Sequence, residues 1–357
     1  MPVISIDTFF ACSLMVLLTL SAMAASSKLL YPYINNAVDV NSIERFREAS
    51  KYMLLSEGSP ADWGQRDSTI LERFGLARAG SDAAYELDID KVSRLNDENS
   101  YAVPYAQIFE ALKMSDVSFR LEVKPLFEVS INLTSTFNAV NETIYQFEIS
   151  TQRHGAQVPA SLKCYAVTSN YFNVGFVGCA SGQAYVNVTL PNNIGGPALL
   201  AVLAKANSNT NVVSFNAYGF AHNSAQPKQK GTFLKLGPLN YTLTASTKYP
   251  NINLSEAYAL AFNYNSTLTK TTGNDTLSTY NIPRILDSSP TLLVVTGENS
   301  TAFFAEWTAY PQIPVEVGAN FANPTTIALT NVFAYPYIIT IGSAFYECTV
   351  WIGGPRG

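Results

Sequence analysis

An uncharged apolar stretch near the N-terminus constrains the fold of this chain more than any other feature. It runs from Thr8 to Ser27, reads TFFACSLMVLLTLSAMAASS, and is bracketed by Asp7 and Lys28. Because a helix rises about 1.5 Å per residue, a stretch of this length would reach roughly 30 Å, the hydrocarbon thickness of a bilayer. We predict a long hydrophobic N-terminal helix that is a cleaved export signal, a permanent anchor or the packing core of a filament.

The flanking residues bear on the choice among these three roles. The opening segment MPVISID contains no Lys or Arg, which disfavours an ordinary secretory signal with a basic n-region. The pattern Ala22-Met23-Ala24 leaves cleavage open. Basic residues between positions 28 and 51 would by themselves keep the C-terminal side inside the cell. Glycosylation sequons further along require the reverse orientation, and they carry more weight because large domains are exported regardless of nearby charge.

The composition favours an exported surface protein. Charged residues make up 14% of the chain, against about 25% in an average soluble protein. The net charge is −5 and no basic run interleaves with aromatics, so nucleic acid is not an expected partner. We expect N-linked glycans at the Asn-x-Ser/Thr sequons, which are Asn132, Asn141, Asn187, Asn240, Asn253, Asn265, Asn274 and Asn299.

The cysteines offer one candidate disulfide. Cys12 lies inside the apolar stretch, where a thiol behaves as a small hydrophobic group. Cys164 and Cys179 flank an aromatic, Gly-containing connection, and we predict a bridge between them. Cys348 is an equally permitted partner for either of these two residues.

Short helices are predicted before residue 117. One begins at Asn41, where Glu44 completes a capping-box pattern, and ends at Gly58, a natural C-terminal stop. Two further short helices are predicted, around Asp90 to Leu95 and from Pro104 to Lys113.

From Val117 onward the pattern is almost exclusively that of strands. Apolar and polar residues alternate from Val117 to Val123 and again from Ala184 to Leu190, as in half-buried strands. Leu199 to Leu203 is a continuous apolar run, typical of a strand covered on both faces. Val332 to Trp351 is nearly uncharged, but its internal Pro and Gly favour paired strands over a second membrane span.

These patterns together predict an α+β fold. It comprises the long N-terminal helix, a small mixed α/β region and two antiparallel β-sandwich-like, immunoglobulin-like domains. The predicted boundaries are 1–58 for the transmembrane or assembly helix and its continuation, 59–153 for the mixed region, 154–225 for the first sandwich and 226–357 for the C-terminal β domain.

No catalytic constellation is recognisable in the sequence. The chain has two histidines, His154 and His222, and contains no HExxH, GxSxG, Walker or GxGxxG motif. Asp88 and Asp90 are better explained as charges near a helix N-terminus than as ligands of a weakly bound calcium ion. We therefore expect no enzyme activity, cofactor or metal. Tyr335, Tyr337 and Tyr346 could form a glycan-binding platform, although core packing is the commoner use of such residues.

The opening residues Ile4 to Ala11 resemble the start of archaeal type IV pilin-like proteins, which carry a hydrophobic N-terminal helix after a class III signal. In that superfamily an acidic residue lies near the fifth position of the mature chain, and Asp7 holds it if the mature chain begins at Val3. The resemblance covers roughly residues 3–130. It continues in Arg45–Ala49, Ser59–Trp63, Gly75–Ala77, the short helix around Lys91 and Leu95, and Phe119–Val123.

A second segment, Gly155 to Lys205, contains the pattern Val158-Pro159-Ala160 and Leu190-Pro191 followed by Leu199-Leu200. In this pattern it is similar to immunoglobulin-like modules of archaeal surface proteins. Together the two resemblances imply a subunit of an extracellular, type IV pilus-like filament. The helix would lie in the membrane before assembly and would then bundle with helices of other copies, while glycosylated β domains face solvent. The implied assembly residues are Asp7, Phe9, Phe10, Leu14, Leu17 and Leu18. In this arrangement Asp7 would pair with the α-amine of a neighbouring copy.

Two other functions stay open at this point. One is a membrane-anchored adhesin or cell-envelope binding protein that does not polymerise. The other is a secreted glycan-active enzyme, for which no pair of carboxylates can be placed from sequence because their separation in space defines them.

Overall fold

A computed structural model describes residues 15–23, 26, 43–68, 70–169, 171–274, 276–285, 289–300, 302–321 and 331–354. The chain forms two compact units, residues 1–51 and 52–357. Residues 15–23 are helical. The other helices are α1 (43–55), a 3-10 turn (Trp63–Gln65), α2 (Ile89–Ser93) and α3 (Tyr105–Leu112).

The strands, in chain order, are β1 (Glu86–Leu87), β2 (Ser118–Pro125), β3 (Glu128–Asn138), β4 (Glu142–Arg153), β5 (Ala156–Gln157), β6 (Ala160–Val167), β7 (Phe172–Cys179), β8 (Gln183–Pro191), β9 (Ala198–Ala206), β10 (Val213–Phe220), β11 (Leu234–Leu239), β12 (Thr242–Thr247), β13 (Ile252–Leu260), β14 (Asn265–Thr267), β15 (Lys270–Gly273), β16 (Leu277–Asn281), β17 (Thr291–Asn299), β18 (Ala302–Tyr310), β19 (Val315–Gly318), β20 (Asn331–Ile341) and β21 (Ala344–Gly354).

The α+β prediction is wrong, because the protein is predominantly β. Of the residues that the structure describes, 51% lie in strands and 13% in helices. The helices at Ile89–Ser93 and Tyr105–Leu112 span only one or two turns, whereas strands fill almost the whole chain after Val117. Of the predicted long N-terminal helix, the structure describes a short helical segment, residues 15–23, whereas residues 1–14 and 27–42 lie outside the described residues. Among the described residues, no helix is both long enough and apolar enough to cross a membrane.

The first β-sandwich is built from strands β3 to β10. In one sheet β4 lies between β3 and β8, with β5 also paired to β4, and the other sheet has the order β10-β9-β6-β7. Both sheets contribute to one core, in which Phe147, Leu162 and Leu200 are fully buried. Strand β8 alternates between exposed and buried positions, and β9 is almost completely buried, as the sequence predicts for both.

The second β-sandwich is built from strands β11 to β18. Its sheets have the orders β11-β12-β16-β15 and β14-β13-β17-β18, and all of the pairings are antiparallel. Leu243 from the first sheet and Leu293 and Val295 from the second lie in a shared, fully buried core. The chain therefore contains two β-sandwiches, one after the other in sequence.

A fifth sheet joins segments that are far apart in sequence. Its order is β1-β20-β21-β2-β19, and β2 pairs with β21 on one side and with β19 on the other. Val123 thereby lies opposite both Cys348 and Val315. Strands β2 and β19–β21, which fall in different predicted domains, share this sheet. Both sandwiches are inserted in sequence between β2 and β19.

Two local predictions concern this sheet. Strand β2 buries Phe119, Leu121 and Val123 and leaves the alternating residues half-exposed, which confirms the predicted half-buried strand. Strands β20 and β21 form an antiparallel hairpin, which confirms the prediction of paired strands between Val332 and Trp351.

Candidate functional site

The predicted glycosylation sequons lie on the surface of both sandwiches. Seven of the eight acceptor residues are exposed, and Asn299 is half-buried. Asn132 and Asn187 lie on β3 and β8, the two strands that flank β4, and Asn253 lies on β13 of the second sandwich. Because the buried partners alternate along these strands, the acceptor side chains point to the outer face of each sheet.

Two other glycosylation acceptors lie in the connections between strands. Asn141 lies in the connection between β3 and β4, and Asn240 lies in the two-residue turn that joins β11 to β12. The exposed acceptor residues are Asn132, Asn141, Asn187, Asn240, Asn253, Asn265 and Asn274.

The described part of the predicted assembly helix carries exposed apolar side chains. Leu17 is 65% exposed and Leu18 is 60% exposed in the helical segment 15–23. Met15, Val16, Leu20 and Met23 in the same segment are also more than half exposed. The other assembly residues, Asp7, Phe9, Phe10 and Leu14, lie outside the described residues.

A cluster of buried polar residues surrounds α2. Asp88 caps the helix, and its carboxylate accepts hydrogen bonds from the backbone amides of Asp90 and Lys91, at 2.9 and 3.0 Å. This arrangement confirms the interpretation of Asp88 as a charge at a helix N-terminus. Among the described residues, no group of three or more His, Cys, Asp or Glu side chains could hold a metal ion.

Asp90 connects α2 to the second sandwich. Its carboxylate oxygen Oδ1 accepts hydrogen bonds from the Tyr310 hydroxyl and from the Asn240 backbone amide, both at 2.8 Å. Burial raises the pKa of Asp90 to about 6, and the two donated hydrogen bonds only partly offset this effect. The sequence identifies Asp90 as a residue near a helix end but does not reveal its burial.

Lys91 and Arg94 hold the connecting segments against α2 through main-chain carbonyls. The Lys91 ammonium donates to the carbonyls of Glu57 and Ala77, at 2.8 and 2.7 Å, and burial lowers its pKa. The Arg94 guanidinium donates to the carbonyls of Trp63, Arg66, Asp67 and Tyr101. The two cations thus tie main-chain carbonyls of the neighbouring segments to α2.

A cleft of about 480 Å³ adjoins Asp90. Arg284 stacks its guanidinium over the ring of Tyr241 at 4.4 Å and donates to the Asn240 side chain at 3.3 Å. The Asp90 oxygen that faces Tyr310 already accepts two hydrogen bonds, so the geometry makes Asp90 a structural acceptor. The hydrogen bonds of Asp90 link α2 to the second sandwich, and the described residues around it do not form a recognisable acid–base pair.

The two histidines have structural surroundings. His222 is buried between the Tyr145 hydroxyl, 2.9 Å from Nδ1, and the Pro191 carbonyl, 3.1 Å from Nε2. Because a carbonyl can only accept, Nε2 donates to Pro191. His154 is an exposed turn residue with a φ of 50°. Neither histidine therefore has the partners of a catalytic base.

The predicted disulfide between Cys164 and Cys179 is wrong. Both residues and Cys348 are free and buried. In the hairpin of β6 and β7, Cys179 lies opposite Ala160, whereas Cys164 lies opposite Gly175. The two cysteines are thus offset by four residues, roughly 13 Å along the strands, and a disulfide needs Cα atoms within about 7 Å. Sequence spacing could not reveal this register.

The expectation that Tyr335, Tyr337 and Tyr346 more commonly pack in the core than form a glycan-binding platform is confirmed for Tyr346. Tyr346 is fully buried in β21 and therefore cannot contribute to an exposed binding surface. Tyr335 and Tyr337 are half-buried on β20.

Comparison with known proteins does not assign the chain to a family. No protein-family model matches it, and no curated protein matches it. Among solved structures, HBP35 of Porphyromonas gingivalis aligns with 13% identity and a TM-score of 0.21, covering 58% of this chain and 69% of that one. A similarity at this level carries no argument about the fold or the function.

Proposed function

We propose that the chain is a glycosylated structural protein of the cell surface, a subunit of an extracellular pilus-like filament. The observation that carries the proposal is the distribution of the sequons. Seven of the eight acceptor residues are exposed, and they are divided between the two sandwiches. A chain with only 14% charged residues gains solubility from glycans at these positions. The sandwiches would face solvent, and the protein would be located outside the cell.

The apolar segment from Thr8 to Ser27 would mediate assembly. Its described part exposes six large apolar side chains between residues 15 and 23. Burying each of them would contribute about 1.5–3 kcal/mol, so packing against other copies or against lipid is strongly favourable. The segment would be held in the membrane before assembly, and Asp7 would then pair with the α-amine of a neighbouring copy.

Fractionation of the source cells tests this proposal. Surface filaments are sheared off, purified and analysed by mass spectrometry, and the remaining membranes are extracted with detergent. We expect the chain in the filament fraction. Its absence from filaments, together with a monomeric species in the detergent extract, would contradict the filament proposal and support the alternative of an anchored envelope binding protein.

A pair of variants links assembly to the apolar segment. Leu17→Asp introduces a charge into the exposed apolar surface of residues 15–23, and we expect it to abolish recovery in filaments. Val140→Asp is the matched control, because Val140 is an apolar residue that is 94% exposed in the connection between β3 and β4. This control should assemble as the wild type does. Equal recovery of both variants would show that residue 17 takes no part in assembly.

A further inference from the structure

Strand β8 places an exposed tyrosine beside a predicted glycosylation acceptor. Tyr185, Asn187 and the sequon residue Thr189 alternate with buried residues of this strand, so all three side chains stand on its outer face. The register of β8 with β4 is continuous from Ser150 to Glu142, without a bulge that would turn one of them away. Successive side chains on one face of a strand are about 7 Å apart, so Tyr185 lies within reach of a sugar linked to Asn187.

The Tyr185 side chain is open to a further contact. It is 59% exposed, and among the described residues it has neither a ring contact nor a hydrogen-bond partner. The residue opposite it on β4 is Glu148, whose carboxylate accepts a hydrogen bond from the Gln183 amide, and the residue opposite Asn187 is Gln146. The tyrosine ring is therefore an isolated apolar surface on a polar face of the sheet.

The chemistry of a sugar ring fits this surface. A pyranose presents C–H groups on its flat face and hydroxyls around its rim, so it packs on an aromatic ring while its hydroxyls stay hydrated. A sugar on the Asn187 amide nitrogen is covalently held beside Tyr185. The contact between them is thus intramolecular, and it forms without the entropy loss of binding a free saccharide.

Asn187 is distinguished in this respect from the other sequon acceptors. It alone has an aromatic residue two positions earlier, where the other seven acceptors have Ser130, Ala139, Pro238, Asn251, Asn263, Thr272 and Gly297. Asn253 is the best comparison, because it is exposed and its strand β13 pairs at that residue with β17 alone among the described strands. Asn251 stands there in place of the tyrosine.

We propose that the first pyranose of a glycan on Asn187 packs on the ring of Tyr185 and thereby stabilises β8. This inference rests on the glycosylation named in the proposed function. Among the described strands, β8 pairs only with β4, so it is an outer strand of its sheet. Amides of such a strand exchange with solvent through local opening. Because opening would break the contact between the sugar and Tyr185, the glycan slows this exchange.

Hydrogen–deuterium exchange of the full-length chain, purified from its source cells, tests the proposal. Peptides that cover β8 are followed by mass spectrometry, in which glycosylated peptides are recognised by their mass. We expect the glycosylated wild type to exchange about threefold or more slowly than Asn187→Gln. In a Tyr185→Thr background the glycan should have no such effect, whereas Tyr185→Phe, which keeps the ring, should restore it. Equal slowing with and without the ring would overturn the proposal.

The same spectra separate this inference from the proposed function. Peptides around Asn253 are the control for a general effect on folding, and their exchange should not respond to Tyr185→Thr. An unmodified Asn187 in a wild-type chain that carries glycan at other sequons would overturn the inference alone. So would a glycosylated Asn187 whose peptide exchanges as fast as that of Asn187→Gln. Unmodified peptides at all eight sequons would contradict the proposed function as well.

Discussion

Tyr310 donates a buried hydrogen bond of 2.8 Å to Asp90, across 220 residues of sequence. The same carboxylate oxygen accepts the Asn240 backbone amide, so one side chain on α2 holds both the end of β18 and the turn between β11 and β12. Ser93 on the same helix accepts the backbone amide of Gln312 at 3.0 Å. Buried polar contacts thus attach the second sandwich to α2, and Ile89 of the same helix packs against the sandwich core.

The first prediction concerns the acceptor role of Asp90. Asp90→Ala leaves the Tyr310 hydroxyl and the Asn240 amide without a partner, and we expect it to destabilise the protein by about 2–4 kcal/mol. Asp90→Asn keeps the Oδ1 acceptor and should retain wild-type stability or exceed it at pH 7. Urea unfolding of the three proteins measures the difference. Equal loss in both variants would show that the negative charge, not the acceptor, is required.

The second prediction concerns pH. Burial raises the pKa of Asp90 from 3.8 to about 6, so between these values the folded protein binds this proton more tightly than the unfolded chain. The contribution of Asp90 to the free energy of unfolding is therefore greatest below pH 4 and falls as the pH rises through 6. The expected loss is roughly 3 kcal/mol.

Asp90→Asn is the control for this pH dependence. The wild type minus the variant gives the contribution of Asp90 alone, because all other titrating groups are shared. We expect this difference in unfolding midpoint to decrease from pH 4 to pH 7. A difference that stays constant or increases over that range would contradict the raised pKa of Asp90.

The third prediction concerns the tight packing of the segments after α1. An added Cβ at Gly75 would lie 2.6 Å from the backbone nitrogen of Gly58 and would also clash with the carbonyl of Ser56. Because backbone atoms cannot move aside cheaply, Gly75→Ala should destabilise the protein by about 2–3 kcal/mol. Gly175→Ala is the control, since no atom lies within 4 Å of its added Cβ. Similar melting temperatures for the two variants would refute the close approach.

The fourth prediction concerns the cysteines. When the protein is unfolded in denaturant without reductant and alkylated, Cys164, Cys179 and Cys348 should each carry the alkyl group. In the folded protein, burial raises the pKa of Cys164 and of Cys348 to about 12, so both should react slowly at neutral pH. Peptide mass spectrometry reports both states. A peptide pair joined through Cys164 and Cys179 would contradict the register of β6 and β7.

Local patterns predicted individual elements better than their arrangement. The alternation at Phe119, Leu121 and Val123 identifies β2, and the breaks between Val332 and Trp351 identify a hairpin, because both depend on neighbouring residues. The pairing of β2 with β21 joins residues such as Val123 and Cys348, which no local pattern relates. The buried state of Asp90 has the same origin, since its partners Asn240 and Tyr310 belong to a distant sandwich.

The same distinction applies to the candidate sites. Sequons are local motifs, and their acceptor residues proved to be exposed at seven of eight positions. The disulfide prediction required strand register and failed on that point, whereas the preference for core packing of the tyrosines is confirmed for Tyr346.

The central claim, that this is a glycosylated protein of the cell surface, is tested most directly by glycopeptide mass spectrometry of the chain purified from its source cells. We predict glycan on the exposed acceptors of both sandwiches, with Asn132, Asn187 and Asn253 among the modified residues. A full set of unmodified peptides covering all eight sequons would contradict it.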